Sequence, residues 1–361
     1  MSRDCRYGGP QRVAESHKHG LTGLPVRVTF LAITDPLETS RDEELKLFKS
    51  ITNLKKRKFA NQFSPALWAW FFGHRKQFDL VHLHFSRDLV TTPIALMCLL
   101  FKQRYVIQPH GMLQGPRGKL KTTWDAFITK PILQNASRVF FLTQEEREHL
   151  RNVFGVLDLR LERLVNGSEV LPLSRAVSAN PLRNVILYAS RLDQRKRPLA
   201  FADLARIRAV SRPDLEFLMV GSDSGALNET LNKIEAADLP SLKYLGAVNE
   251  TEIRLLLDRC IALVQPALWD VFPMIMVEAA CRGIPVVSVE GYEVSDWFGM
   301  NSASIVSDGT PEGMDASLSI ILSNFEALQL ESHSFASTYL DQKLIGKQLE
   351  ETYKKVLGTI G

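Results

Sequence analysis

Short apolar runs alternate with helical stretches along nearly the whole chain, and this alternation restricts the fold more than any other feature. Val26–Ile33, Asp79–His84, Arg104–Gln108, Ser137–Leu142 and Leu161–Val165 read as strands. Between them lie the helical stretches Pro65–Lys76, Asp88–Phe101, Trp124–Asn135 and Gln144–Val153. Ser64 is placed to cap the first of these, with Pro65 at its first helical position. Residues 168–183 hold two prolines and no period, so they read as a connection between domains. A second series of strands follows at Asn184–Ala189, Glu216–Val220, Leu242–Leu245, Ala262–Pro266 and Pro285–Val289, and a last helix spans about Ser337–Leu357. Strands that alternate with helices imply an α/β chain of two Rossmann-like, doubly wound parallel-sheet domains. The expected division is residues 1–170, residues 171–340, and a C-terminal helix over residues 341–361. In such domains a ligand cleft lies at the carboxyl ends of the strands.

Length and charge agree with two domains. The chain has 361 residues, 45% of them hydrophobic and 23% charged. That composition excludes collagen-like, disordered and disulfide-scaffold chains. Residues 1–170 carry 26 Lys and Arg against 16 Asp and Glu, whereas residues 171–361 carry 18 against 24. A basic front half is expected to face something anionic, such as a membrane surface or a phosphorylated acceptor. The cysteines Cys5, Cys98, Cys260 and Cys281 form no C-x-x-C pair, and the three in apolar surroundings read as small core residues of a reducing compartment. The longest apolar run, Val90–Phe101, is too short to span a bilayer. A cytoplasmic protein, peripheral on the inner face of the membrane, is expected.

Two segments carry the chemistry. In residues 265–289 a strand ends at Pro266, a loop holds Asp270, Pro273 fits the first turn of a helix, and Gly283 followed by Pro285 stops it. Backbone around Phe272, Pro273 and Met274 at such a helix start suits an anion. Glu278, within the helix, can accept hydrogen bonds from vicinal hydroxyls such as those of a ribose. In residues 186–198 a strand ends at Ala189, and Arg191, Arg195, Lys196 and Arg197 crowd the following turn. Cations there are what a diphosphate needs. No D-x-D triplet, P-loop or G-x-G-x-x-G fingerprint occurs. His82 and His84 share a strand face, but no carboxylate or cysteine accompanies them, so no metal is expected.

These segments make the chain resemble a family 4 glycosyltransferase of the GT-B fold, a retaining enzyme that uses a nucleotide sugar. The family's E-x7-E motif, E-G-F-P-x-x-x-x-E-A, is matched by Asp270-Val271-Phe272-Pro273 through Glu278-Ala279. Its G-R-L phosphate segment with a following Lys is matched by Ser190-Arg191-Leu192 and Lys196. P-H-G-M-L is present as Pro109–Leu113, the hinge N-G as Asn166-Gly167, and an N-terminal glycine pair as Gly8-Gly9. The resemblance implies that Arg191 and Lys196 bind the donor diphosphate and Glu278 holds the ribose. It implies that Asp270 contacts the transferred sugar, that His110 lies across the cleft near it, and that Gly9 lies near the diphosphate or acceptor. It also implies a glycan or lipid-linked acceptor, no nucleic-acid partner, no resident cofactor, and a role in cell-envelope or exopolysaccharide biosynthesis. A nucleotide-sugar 2-epimerase or a catalytically inactive GT-B binding protein are the alternatives. Asp270 reaches one methylene less far than the family's Glu. Val271 replaces a Gly, and Val disfavours positive φ.

Two expectations concern the front half. Residues 45–63 place Leu45, Phe48, Ile51 and Leu54 on one helical face flanked by lysines, as an interfacial helix on anionic membrane would. The glycine pair should follow a central strand, yet the preceding MSRDCRY cannot form a buried one, so the first strand is expected to be missing. The alternative is that Val26–Ile33 is itself the first strand.

Overall fold

The computed structural model describes residues 9–34, 44–51, 62–114, 118–173 and 183–358. These form two units. The first runs up to Val165 and takes in the C-terminal segment from Lys343; the second is Asn166–Gln342. The boundary therefore falls five residues before the expected one.

The first unit opens with α1 (Gly9–Leu21) and a parallel pair of strands, β1 (Phe30–Thr34) and β2 (Leu45–Lys49). A four-stranded parallel sheet follows, ordered β3 (Val81–His84), β4 (Tyr105–Gln108), β5 (Arg138–Phe141) and β6 (Leu161–Arg163). Helices α2 (Pro65–His74), α3 (Thr91–Leu100), α4 (Lys119–Trp124), α5 (Lys130–Asn135) and α6 (Gln144–Asn152) connect these strands, with a π-turn over Asp125–Thr129 joining α4 to α5. Strand residues alternate between two cores, as the period of 2 requires. Leu83, Ile107 and Val139 join Phe71, Ile94, Ile132 and Leu133 on one side. Val106 and Phe140 join Leu21, Leu164, Ile345 and Leu349 on the other. That second core is closed by α1 and the last helix, α14 (Gln342–Leu357). The two helices touch where a Cβ on Gly346 would lie 2.0 Å from the Gly20 carbonyl oxygen, so only glycine fits there.

Two readings of this half are corrected. Residues 45–49 form an edge strand hydrogen-bonded to β1, not the start of an interfacial helix. Lys46 and Lys49 are exposed, while Phe48 packs on the unit's own core and against Trp70 at 5.7 Å. Pairing with β1 satisfies the backbone that a helix over this i, i+3 pattern would have satisfied internally; the rest of that segment, residues 52–61, lies outside the described residues. The strand expected at Val26–Ile33 begins only at Phe30, because Val26 and Val28 pack against the α1/α14 core. Residues 1–8, where the expectation of a missing strand falls, are also outside the description. Among the described residues, β1 pairs with β2 and not with β3.

The second unit is one six-stranded parallel sheet. Its strands are β7 (Val185–Ala189), β8 (Glu216–Val220), β9 (Leu242–Tyr244), β10 (Cys260–Gln265), β11 (Val286–Val289) and β12 (Ser304–Ser307). The spatial order is β9-β8-β7-β10-β11-β12. The chain runs from β7 outward to β9, then returns to the other side of β7 with β10, which creates a topological switch point between β7 and β10. Strand β12 escapes sequence reading because only Ile305 and Val306 are apolar in it. Helices α7 (Pro198–Ala209), α8 (Leu227–Ala237), α9 (Glu250–Arg259), α10 (Met274–Ala280), α11 (Glu293–Met300), α12 (Pro311–Ser323) and α13 (Phe325–Tyr339) complete the unit. The single last helix expected over Ser337–Leu357 is two, because the chain breaks at Leu340-Asp341, where Ser168 bridges to Asp341 and donates its N–H to the Leu340 carbonyl.

Candidate functional site

In the second unit both motif segments sit at the carboxyl ends of β7 and β10, on either side of the switch point. After β7, Asp193 caps a single 3-10 turn, its Oδ1 accepting from the N–H groups of Arg195 (2.9 Å) and Lys196 (3.1 Å). Arg197 then turns into the left-handed region (φ 51°) before Pro198 opens α7. This turn aims Lys196 across to the loop after β10, where its Nζ donates to Asp270 Oδ2. The loops are tied again by Leu268 N–H donating to the Arg195 carbonyl at 3.0 Å. Lys196 is 9% exposed, so its ammonium is largely withdrawn from water beside its counter-ion, whereas Arg191 and Arg195 stand in solvent.

The β8 end supports the same loop. Gly221 has φ +151°, and a Cβ there would lie 1.8 Å from the Ser190 carbonyl oxygen. The chain thus needs glycine at 221 to bring the Ser190-Arg191 turn this close.

The loop of residues 266–273 leads into α10. Pro273 occupies the N-cap (φ −67°, ψ 112°) and not the first turn, so Met274 is the first helical residue. The intrahelical bonds begin with Met276 N–H to the Pro273 carbonyl (3.0 Å), which leaves the helix's opening N–H groups ahead of them. Val271 is outside the left-handed region, so the Val for Gly replacement carries no backbone strain. Phe272, Pro273 and Met274 are buried, Asp270 and Glu278 half-buried. Gly283 (φ +63°) stops the helix as expected, with Ile284 N–H reaching the Ala279 carbonyl and Gly283 N–H the Ala280 carbonyl, both at 2.9 Å. Tyr292, which sequence reading missed, is buried. Burial raises its hydroxyl pKa well above the usual range, and the Asp270 charge adds to the rise. It lies in an ordinary loop context that offers no sequence signal.

In the first unit His110 and Gly111 both take positive φ (54° and 70°) at the end of β4. His110 Nε2 lies 2.7 Å from His84 Nδ1, their rings stacked 4.9 Å apart. Glu146, on α6, braces the loop: its carboxylate accepts from Gly111 N–H (2.6 Å) and Leu142 N–H (2.8 Å). Burial pushes the Glu146 carboxyl up to about 7, against the pull of those two N–H groups. Burial also lowers the His110 pKa well below 6.5, with His84 and His82 adding to it, so the ring is neutral at pH 7. Glu146 carries a sequence signal that Glu145 and Glu148 lack, standing three residues after the N-cap Thr143 at the spacing of a capping box, whereas its reach to the Gly111 N–H depends on the fold. Gly9 is the first residue of α1 and half-buried. The structure therefore brings Arg191, Lys196, Asp270, Phe272, Pro273, Met274 and Glu278 to one sheet end in the second unit, and holds His110 and Gly9 in the first.

The family "Glycosyltransferase Family 4" matches residues 7–169, and "Glycosyl transferases group 1" matches residues 173–329. No curated protein matches in sequence. Among solved structures, sucrose-phosphate synthase from Thermosynechococcus elongatus is similar at 14% identity and TM-score 0.73, over 98% of this chain and 94% of that one. Anabaena HepE in complex with UDP and glucose is similar at 15% identity and TM-score 0.71, over 96% of each chain. WaaG, a glycosyltransferase involved in lipopolysaccharide biosynthesis, is similar at 15% identity and TM-score 0.66, over 97% and 96%. At these identities the likeness bears on the fold. With the two family matches following one another along the chain, this protein is a GT-B glycosyltransferase of the group 1, family 4 type.

Proposed function

We propose that the protein transfers a sugar from a nucleoside diphosphate sugar to a glycan or lipid-linked acceptor, with retention of anomeric configuration and no divalent metal at the diphosphate. The observation that carries this reading is the meeting of Lys196 and Asp270 at the switch point between β7 and β10. That is where a doubly wound sheet binds nucleotides. A desolvated ammonium exerts a stronger field on a departing diphosphate than an exposed one. Arg191 supplies a second positive charge, Glu278 receives the ribose hydroxyls, and the helix start at Phe272–Met274 faces the phosphates. Asp270 passes from Lys196 to the hydroxyls of the transferred sugar. His110 and Gly9 serve the transfer from the first unit, His110 as a neutral hydrogen-bonding group.

The solved complexes of Anabaena HepE with UDP, with UDP and glucose, and with UDP-glucose favour a uridine donor. A role in envelope or exopolysaccharide synthesis fits the WaaG likeness. No helix among the described residues is long and apolar enough to cross a membrane. A cytoplasmic enzyme docking on anionic lipid is the matching placement. With the helix at 45–63 withdrawn, exposed Leu120 and Phe127 beside Lys119, Lys121 and Lys130 are the residues that would make that contact.

The test is a thermal-shift screen of nucleotides and nucleotide sugars, followed by transfer assays with the donor that stabilises most. Transfer of sugar to acceptor, with the anomeric configuration retained by NMR, supports the proposal. Altered sugar released without acceptor would show an epimerase. No stabilisation by any nucleotide would reject the donor site.

A further inference from the structure

Strand β3 carries His82 and His84 on the face that packs against α1 and α14. The fold brings His17, 65 residues away in sequence, from α1 onto the same spot. The three rings lie 5.0 to 5.8 Å apart by centroid, and one nitrogen from each comes within 4.8 Å of the others. His17 is 3% exposed, and neither of its ring nitrogens has a hydrogen-bond partner; Nε2 of His82 has none either. A buried polar nitrogen without a partner is costly, and one on His17 and one on His82 gathered in the same place call for a common partner.

We propose that His17, His82 and His84 form a site for a first-row divalent transition metal, with Zn²⁺ the best fit. Three imidazoles with no carboxylate or thiolate suit Zn²⁺ better than Mg²⁺ or Ca²⁺. Each strand histidine has one ring nitrogen engaged, which leaves the other for an ion. His82 Nδ1 lies 2.7 Å from the Tyr353 hydroxyl and His84 Nδ1 lies 2.7 Å from His110 Nε2. With Nδ1–H donating in each pair, Nε2 of both rings carries the lone pair a metal needs. Tetrahedral ligation at about 2.0 to 2.1 Å needs nitrogens roughly 3.3 Å apart. Reaching that spacing from the 4.8 Å limit requires side-chain rotation that turns His82 and His84 out of their 6° stack.

Occupancy would pin α1, β3 and α14 together. It would also make His84 a donor to His110 Nε2, so that His110 carries its own proton on Nδ1. The site lies wholly in the first unit. It was invisible in sequence because its third ligand is not near the other two.

The test uses the full chain, stripped with chelator and titrated with Co²⁺. The expected result is one Co²⁺ per chain with the intense visible absorption of a tetrahedral site, displaced by Zn²⁺, and a Zn²⁺-dependent rise in melting temperature. His17→Gln and His82→Gln should lose the band, and His19→Gln, exposed on the same helix, should keep it. If either site variant fails to melt cooperatively, the Co²⁺-loaded wild type decides: its NMR spectrum should show paramagnetically shifted, exchangeable Nδ1–H protons of ligating imidazoles. The proposal is overturned if wild type takes up no stoichiometric Co²⁺, if folded His17→Gln and His82→Gln bind it as wild type does, or if those shifted protons are absent. Each readout is independent of sugar transfer, so the donor-site reading stands or falls separately.

Discussion

Replacing Glu146 by glutamine should change how stability depends on pH, with a sign and size set by its burial. Glu146 is 2% exposed, and its carboxyl is pushed up to about 7 from an ordinary 4.5. The folded state therefore holds a proton on Glu146 between pH 4.5 and 7 that the unfolded chain releases. By linkage, the stability tied to this proton is fully present below pH 4.5 and is lost as pH rises through 7. At about 1.36 kcal/mol per pKa unit, a shift of roughly 2.5 units is worth about 3 kcal/mol. Glutamine cannot ionise, so Glu146→Gln removes that loss. It also replaces one acceptor by an NH₂ group facing Gly111 N–H or Leu142 N–H, at a cost of about 1–3 kcal/mol at all pH values. Wild type should be the more stable of the two at pH 5, and the gap should shrink by about 2.5 kcal/mol by pH 8, to parity or slight inversion. Hydrogen exchange across a urea series, read on amides of the first unit at pH 5, 6, 7 and 8, measures the gap. Other titrating groups cancel in the difference. A gap that stays constant across this range would refute the assignment of a raised carboxyl to Glu146.

The histidines act in the opposite sense. The His84 pKa is lowered to about 4 by burial, so its stabilising contribution is present above pH 6.5 and is lost as pH falls toward 4; in the Glu146→Gln background, which lacks the opposing carboxyl, melting temperature should drop on acidification from pH 7 to 5, and a flat profile there would exclude a neutral cluster. Arg191→Ala should leave melting unchanged, because Arg191 is exposed, yet reduce transfer by about 10²–10³, a loss typical of removing one charge-stabilising group. Lys196→Met should reduce transfer at least as much; unchanged turnover in both variants would end the diphosphate assignment. Gly221→Ala should weaken donor binding and lower stability by about 1–3 kcal/mol, since its Cβ collides with the Ser190 carbonyl at 1.8 Å; titration calorimetry with the donor nucleotide checks it. Enzyme stripped of metal and resupplied with one equivalent of Zn²⁺ should gain nothing from Mg²⁺ or Mn²⁺, and stimulation by either in a turnover assay would contradict transfer without a metal at the diphosphate.

What the sequence determined by itself is whatever short-range chemistry settles. Ser64 accepts from Leu67 N–H at 3.4 Å ahead of Pro65, and Gly283 stops α10 with a left-handed turn, because caps and stops are decided within a few residues. The alternation of apolar runs likewise fixed the parallel α/β class, since strands buried on both faces leave that pattern whatever they pack against. The two loops of the proposed donor site were legible for the same reason: charge and proline spacing place Lys196 and Asp270 at strand ends. Tertiary structure decided what depends on distant partners. Residues 45–49 fit a helical period, but pairing with β1 made them a strand. Thr143 three residues earlier marks Glu146 as a capping-box position, but it became a buried brace only because the Gly111 and Leu142 N–H groups converge on it. His17 has no sequence relation to His82 and His84; only the packing of α1 across β3 puts their nitrogens within one ion's reach.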